Sequence, residues 1–332
     1  MRDTRATAIA HSNIALVKYW GKRDQALNLP AVGSISATLQ DLVTRTRVTF
    51  SRSLESDILI LNGRRAGEQA ERRVSAFLDL VRERAHVDVR ARIESENNFP
   101  ESTGLASSAS AFASIALAAS RAASLPLSPE RLSELARRGS GSAARSVFGG
   151  FVEMQPGSEP DGSDAVAAPL VDEAYWPLSF VVVITSAGPK ETGSTEGMIH
   201  SARTSPYYSA WVETSAQDLE EMRSAIYARD LERLGTVAEH SCLKMHALAL
   251  SARPGLLYWE GATVAIMRAV RELRERGVQV YFSIDAGPQV MLLCEPGSTA
   301  SAMAALAGIP GVKKILASTL GPGAQCVEGE GA

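Results

Sequence analysis

Cysteine is scarce in this 332-residue chain, with three in all, Cys242, Cys294 and Cys326. They form no C-x-x-C pair and no closely spaced even set, which excludes a disulfide framework and a cysteine zinc site. A reducing, cytoplasmic setting is the expectation. Excess positive charge is also missing: 34 Lys and Arg face 37 Asp and Glu, for a formal charge of -3 and a pI near 6.0. No broad field for nucleic acid follows from that balance, so any anionic ligand has to be met by a local cluster of cations. Long apolar runs are absent too. The opening MRDTRATAIAHSNIAL has no signal-peptide core, and no stretch of about 18 consecutive apolar residues occurs later, so neither secretion nor membrane spanning is expected. Lysine is rare, six against 28 arginines. A lysine in such a chain draws attention wherever a compact point charge would be preferred to a planar fork.

What is present is ordinary globular material: 45% hydrophobic, 21% charged, mean hydropathy -0.02. The length allows two lobes or one large α/β unit. Thr44 to Phe50 and Asp57 to Asn62 read as strands, and Val74, Phe77, Leu78 and Val81 recur at helical spacing. A strand at Val87 to Ser95 leads through a Gly/Ser-rich segment into an Ala-rich helix that ends before Pro126. Ser128 followed by Pro129 is an N-cap with proline at the first helical position. The Pro-, Gly- and Asp-rich stretch Gln155 to Asp164 reads as an exposed loop near a lobe boundary. Beyond it lie a strand at Leu178 to Ser186 and several helices. Leu231, Leu234, Ala238 and Cys242 share one helical face, and Ala262, Ile266, Ala269 and Leu273 share another. VQVYFSID, QVMLL and Val312 to Ser318 close the chain as strands. Antiparallel strands with segregated helices give an α+β class.

Five segments could carry chemistry, and each also has a plain structural role. Asn97 to Ser110 places Gly104 and serines 107, 108 and 110 before a helix, which suits phosphate oxygens but also ordinary capping; it lacks the Walker A pattern. His11 to Asp24 holds Lys18 and Lys22 around Tyr19-Trp20-Gly21, either as point charges for a ligand or as solvated lysines beside a buried tryptophan. Arg137 to Ser146 offers Arg145 as a carboxylate fork or as a surface arginine. Tyr281 to Leu292 delivers Asp285 at a strand end before Ala-Gly-Pro, a placement common to catalytic residues and to Asx turns. Ser186 to Met198, with Lys190, Ser194 and Thr195, could cover an anion or cap a helix. His240 and His246 are six apart and do not share a face as metal ligands would, so they read as solvated or satisfied core residues.

In order and wording, NIALVKYWGKRD, NNFPESTGLASSASAFA, ARRGSGSAARSVFGGFVEM, STEGM and YFSIDAGP resemble the diphosphomevalonate decarboxylases of the GHMP kinase superfamily. The resemblance runs from Asn13 to Pro288. It implies a GHMP kinase fold of two lobes with the active site in the cleft between them. The first lobe, 1–175, would be of the ribosomal protein S5 domain 2-like type and carry the ATP loop. The second, 176–332, would be a ferredoxin-like α/β sandwich carrying the catalytic aspartate. Carried over, Asp285 is that aspartate, Lys18 its neighbour, Arg145 the arginine for the substrate carboxylate and Asn13 the residue that orients it. Tyr19, Lys22, Ser140, Ser142 and Ser194, with Arg73 as a less secure match, would contact the substrate's phosphates. Asn98, Pro100, Gly104, Leu105, Ala106, Ser107, Ser108 and Ser110 would hold ATP, with Ser108 near the γ-phosphate or its Mg2+. Gln289 and Gly193 depart from residues frequent in the family.

The implied activity is ATP-dependent decarboxylation of mevalonate 5-diphosphate to isopentenyl diphosphate, in a homodimer that binds neither nucleic acid nor membrane. Alternatives are a phosphomevalonate decarboxylase, a mevalonate 3-kinase acting on a less phosphorylated mevalonate, or a non-catalytic ligand-binding regulator.

Overall fold

The computed structural model describes residues 3–99, 107–185 and 191–327. Its first sheet has eight strands built around two long antiparallel ones, Thr4–Val17 and Ser34–Ser51. Along the second of these, Thr44, Thr46, Val48 and Phe50 are buried while Arg45, Arg47 and Thr49 are only partly so, the period-two pattern of a sheet with one covered face. Helix Ser107–Ala122 lies on that face. Its alanines permit close approach, and its serines find partners there. The Ser110 and Ser114 hydroxyls, one turn apart, each stand 2.7 Å from a threonine hydroxyl, Thr44 and Thr46 respectively. Buried hydroxyls in a small-residue interface need such bonds. Helix Glu68–Ala85 turns Val74, Phe77, Leu78 and Val81 into the same core, as their spacing predicts.

The Ser128 hydroxyl caps helix Pro129–Gly139 by accepting from the Arg131 amide. The strand expected from Val87 begins three residues later, at Arg90, and runs to Asn97. It pairs parallel with Ile58–Leu61 and antiparallel with Ser34–Ser51. The loop Gln155 to Asp164 joins two paired strands of this sheet, Phe151–Met154 and Ala167–Val171. It is held by Arg137, which is fully buried and donates to the carbonyls of Leu27, Gly162 and Ala165.

The chain reaches the second sheet at Ser179–Ile184. This sheet is four-stranded and antiparallel, in the order Val280–Ser283, Val290–Cys294, Ser179–Ile184, Lys314–Thr319. Helices Leu231–Leu250, Gly261–Glu275 and Thr299–Ala307 pack with it. The two sheets share a hydrophobic cluster: Leu16 and Ile35 of the first meet Phe180 and Leu293 of the second, with Leu234 and Ala238 of helix Leu231–Leu250 alongside. Strand Gln325–Cys326 then returns to Ala8 and Ile9 of the first sheet. Among the described residues no helix is long and apolar enough to cross a membrane.

Candidate active site

Lys18 follows the first strand directly. Trp20, two residues on, is buried; its indole N–H donates to the Ser201 hydroxyl, and its carbonyl accepts from the indole of Trp211. Gly21 has φ +94°, and a Cβ there would meet the Tyr208 hydroxyl at 2.5 Å. This tight turn excludes other residues. Between strand and turn, Lys18 points inward with 1% of its side chain exposed, and its ammonium lies 2.5 Å from Asp285 Oδ1. A buried ammonium without a counter-charge would be very costly, so the contact accounts for its burial. Asp285 retains 25% exposure toward the cavity.

The short 3-10 helix Gly141–Val147 supplies Arg145, which is 2% exposed. Its guanidinium donates to the Ser34 hydroxyl at 2.6 Å and to Asn13 Oδ1 at 3.1 Å. Asn13 in turn donates through Nδ2 to the Ser142 carbonyl and the Ser146 hydroxyl. With both ends of its amide assigned, Asn13 can orient the arginine in only one way. Burial pushes the Arg145 guanidinium down to about 10, partly opposed by Asp285. It remains a cation at neutral pH. Two polar atoms at this place are buried without a partner among the described residues, Arg145 Nε and the Tyr19 hydroxyl. Burial raises the Tyr19 phenol above its ordinary range, so it stays protonated and able to donate. Buried donors left unmatched there suit a polar ligand.

These groups line one cavity of about 130 Å³, together with Ser107, Ser108, Ser142 and Ser194. Asp285 is the one carboxylate among its described lining residues. A second recess of about 360 Å³ shares Tyr19, Ser108, Ser142 and Ser194 with the first and adds Lys22, Arg73 and Arg138. Its described lining holds those three cations and no carboxylate. The Lys22 ammonium is pushed down to about 8, first by burial and then by the charge of Arg73. Arg73 donates to the Gly139 carbonyl at 2.8 Å and lies 4.7 Å from the centre of the Phe112 ring. Cations that repel each other over a recess of hydroxyls make an anion site. Ser108 sits at the junction, 3.2 Å from the Ser140 hydroxyl, which is 3.3 Å from that of Ser142.

Asn13, Lys18, Tyr19, Lys22, Arg73, Ser107, Ser108, Ser140, Ser142, Arg145, Ser194 and Asp285 are thus brought together. Two residues expected with them are not. Asn98 spends its amide on the Val43 N–H and the Asp41 carbonyl. Ser110 is fully buried against Thr44: it lies on the same face as Ser107 but one turn further from the helix N-terminus, in line with Ser114 and over the sheet rather than the cleft. Pro100, Gly104, Leu105, Ala106 and Lys190 lie outside the described residues. Gln289 is buried, and its side-chain carbonyl accepts from the Thr185 amide, anchoring the end of Ser179–Ile184. Thr195, named in the sequence as able to cover an anion, lines the recess; Arg138 does so without having been singled out, and the doublet Arg137-Arg138 before Gly139 was the available signal, one of its members being structural. Among the described residues no group of three or more His, Cys, Asp or Glu could hold a metal. The Ser108 hydroxyl, an oxygen donor lining the cavity, suits a divalent ion that is also held by a ligand's phosphate oxygens.

Comparison with known proteins finds matches over nearly the whole chain. Residues 10–167 match the family model of the diphosphomevalonate decarboxylase-like N-terminal domain, and residues 180–323 match that of the mevalonate 5-diphosphate decarboxylase C-terminal domain. The diphosphomevalonate decarboxylase of Candida albicans is 34% identical, covering 96% of this chain and 97% of that protein. The crystal structure of mevalonate diphosphate decarboxylase from Staphylococcus aureus superimposes with a TM-score of 0.94 at 39% identity, covering 98% of this chain and 99% of that one. The structure of MDDEF in complex with MVAPP, AMPPCP and magnesium does so with a TM-score of 0.93 at 37% identity, over 99% of this chain and 100% of that one. With its GHMP kinase fold and both family models matched, the chain belongs to the diphosphomevalonate decarboxylase family.

Proposed function

We propose that this protein converts mevalonate 5-diphosphate and ATP to isopentenyl diphosphate, ADP, phosphate and CO2, by transient phosphorylation of the C3 hydroxyl. The observation that carries the reading is one cavity in which a single carboxylate, Asp285, faces a buried guanidinium, Arg145, next to a recess of three cations. A tertiary hydroxyl leaves poorly. Moving the γ-phosphoryl onto its oxygen makes a leaving group, and as that C–O bond breaks, the C–C bond to the carboxylate supplies the electron pair of the alkene and CO2 departs.

Each residue then has a task set by its surroundings. Arg145, itself aligned by Asn13 and Ser34, grips the substrate carboxylate and keeps the breaking C–C bond in line. Asp285, held at Oδ1 by Lys18, orients the C3 hydroxyl and takes its proton as phosphoryl transfer proceeds. The Tyr19 hydroxyl and Lys22, Arg73, Ser140, Ser142 and Ser194 receive the diphosphate. Ser107 and Ser108, in the first turn of helix Ser107–Ala122, receive nucleotide phosphate. A magnesium ion bound there with ATP supplies charge neutralisation for the transferred group. On this reading the segment 1–175 binds the nucleotide and the substrate carboxylate, and 176–332 contributes the aspartate.

Three cations in the recess favour two phosphate groups over one. Product analysis with purified protein, Mg-ATP and each of mevalonate, its 5-phosphate and its 5-diphosphate tests this. Equal amounts of ADP, phosphate and CO2, formed fastest from the diphosphate, are expected. ADP without CO2 would make the protein a kinase, and preference for the monophosphate would overturn the substrate.

A further inference from the structure

The element that delivers Asp285 ends a sheet and has a strand on one side only. Val280–Ser283 lies at the edge of the four-stranded sheet, and its register with Val290–Cys294 ends with Ser283 opposite Met291. Ile284 and Asp285 run past that last pair. Odd-numbered and even-numbered backbone groups of an antiparallel strand point to opposite sides. The even-numbered ones here turn to helix Leu231–Leu250, whose side chains stand where a fifth strand would be. Glu239 accepts from the Phe282 N–H at 3.1 Å. The Cys242 sulfur accepts from the Ile284 N–H at 3.2 Å, and its S–H lies 3.5 Å from the Ile284 carbonyl. His246 Nε2 lies 3.3 Å from that same carbonyl. These residues are spaced three and four apart, on one helical face. The next helix adds Arg274, which bonds both Glu239 and the Val280 carbonyl. One turn of the first helix reaches the partner of Asp285 as well, because the Ser241 hydroxyl accepts from the Lys18 amide at 3.0 Å.

We infer that Cys242 and His246 are positioning residues for the reaction, clamping the Ile284 peptide so that the Asp285 carboxylate is held at its working distance from Lys18 and the substrate. A carbonyl only accepts, so His246 Nε2 must carry the proton, and the ring is neutral; burial, and then the charge of Lys18, push it down to about 3. The ring is kept in place by Trp259, whose centre is 4.8 Å away. Burial raises the Cys242 thiol to about 11, so it also stays neutral and keeps its proton for the Ile284 carbonyl. Neither side chain lines the reaction cavity. Their effect on turnover is therefore through the Ile284 peptide.

This inference rests on the decarboxylase reading, and the test separates the two. Kinetics on the full chain would compare His246→Leu, which removes the donor, with His246→Gln, which keeps an N–H donor at a similar reach. Cys242→Ala and Cys242→Ser form a second pair in case the first leucine variant does not fold. In the donor-deleting variants kcat should fall on the order of 10-fold while KM for both substrates stays within about 2-fold, since a small displacement of a catalytic group acts on the transition state. The Gln and Ser variants should recover most of the loss. Thermal unfolding checks that each variant is folded. Unchanged kcat in folded His246→Leu or Cys242→Ala overturns the inference, as does a loss the conservative variants fail to restore. Absence of decarboxylation in the unsubstituted protein would instead overturn the functional reading.

Discussion

The two ends of the cleft are built on opposite principles. At the carboxylate end, Lys18 and Arg145 are 1% and 2% exposed, and each has a fixed partner: Asp285 for one, Asn13 and Ser34 for the other. At the end with the three-cation recess, Lys22 and Arg138 are half-buried, Arg73 is exposed, and no carboxylate is among the described lining residues. In the first region Lys18 is neutralised by Asp285, and Arg145, still a cation, is held by neutral acceptors before any ligand arrives. The cations in the second repel one another until an anion comes. Bond breaking demands position, which buried hydrogen bonds supply. Diphosphate binding demands net charge, which an open recess supplies at the cost of sensitivity to salt.

Substitutions at the two ends should therefore fail differently. The largest effect is expected for Asp285→Asn, with turnover lowered at least ~100-fold while titration still detects ATP binding; near-normal turnover would remove Asp285 from the reaction. Arg145→Lys keeps the charge and loses the planar fork, so CO2 release should drop at least ~10-fold with nucleotide affinity intact. Equal loss of nucleotide affinity would show that the enclosed end is not specialised as described. In the open recess, Arg73→Ala should raise KM for the diphosphate substrate by about 5-fold and leave kcat within about 2-fold, with a shallower dependence of KM on ionic strength.

Lys22 provides the pH test of the same contrast. Its pKa in the folded protein, about 8, lies below that of a free lysine, so the ammonium is lost as pH rises through that value. KM for the diphosphate should climb above pH 8, and Lys22→Arg, which stays charged, should flatten the rise. The sign for stability is the reverse. An unfolded lysine holds its proton to higher pH than folded Lys22 does, so the ligand-free protein gains stability as the buried charge disappears across that window. The smallest effect is expected for Ser110→Ala: KM for ATP unchanged within about 2-fold, since the hydroxyl is engaged with Thr44, and a stability loss of about 1 kcal/mol seen in denaturant unfolding.

Legibility followed the range of the interaction. The Ser128 cap, the face of Val74, Phe77, Leu78 and Val81, and the aspartate at the end of an apolar strand all follow from neighbours a few residues away. Cys242 shows the limit of that reading. Its spacing with Leu231, Leu234 and Ala238 identifies a buried face, and it is buried, yet its sulfur also bonds the Ile284 backbone 42 residues further on. His246 reads as a satisfied core histidine, and its bond to the Ile284 carbonyl satisfies it; nothing local names that partner. Composition groups Ser110 with Ser107 and Ser108, and the sheet packed under the helix beyond its first turn separates them, since Thr44 takes the Ser110 hydroxyl.

Residue type, periodicity and motif wording by themselves determined the α+β class, most of the elements and the family, because those properties are written in local order. Motif wording also implied Lys18 beside Asp285, but tertiary structure alone decided the contacts themselves and the partners that no motif names, such as Ser34 for Arg145. Lys18 and Asp285 are 267 positions apart, and Arg145 and Asn13 are 132 apart. Their contacts exist because two sheets bury one common core, and a shared core fixes distances that no local pattern encodes.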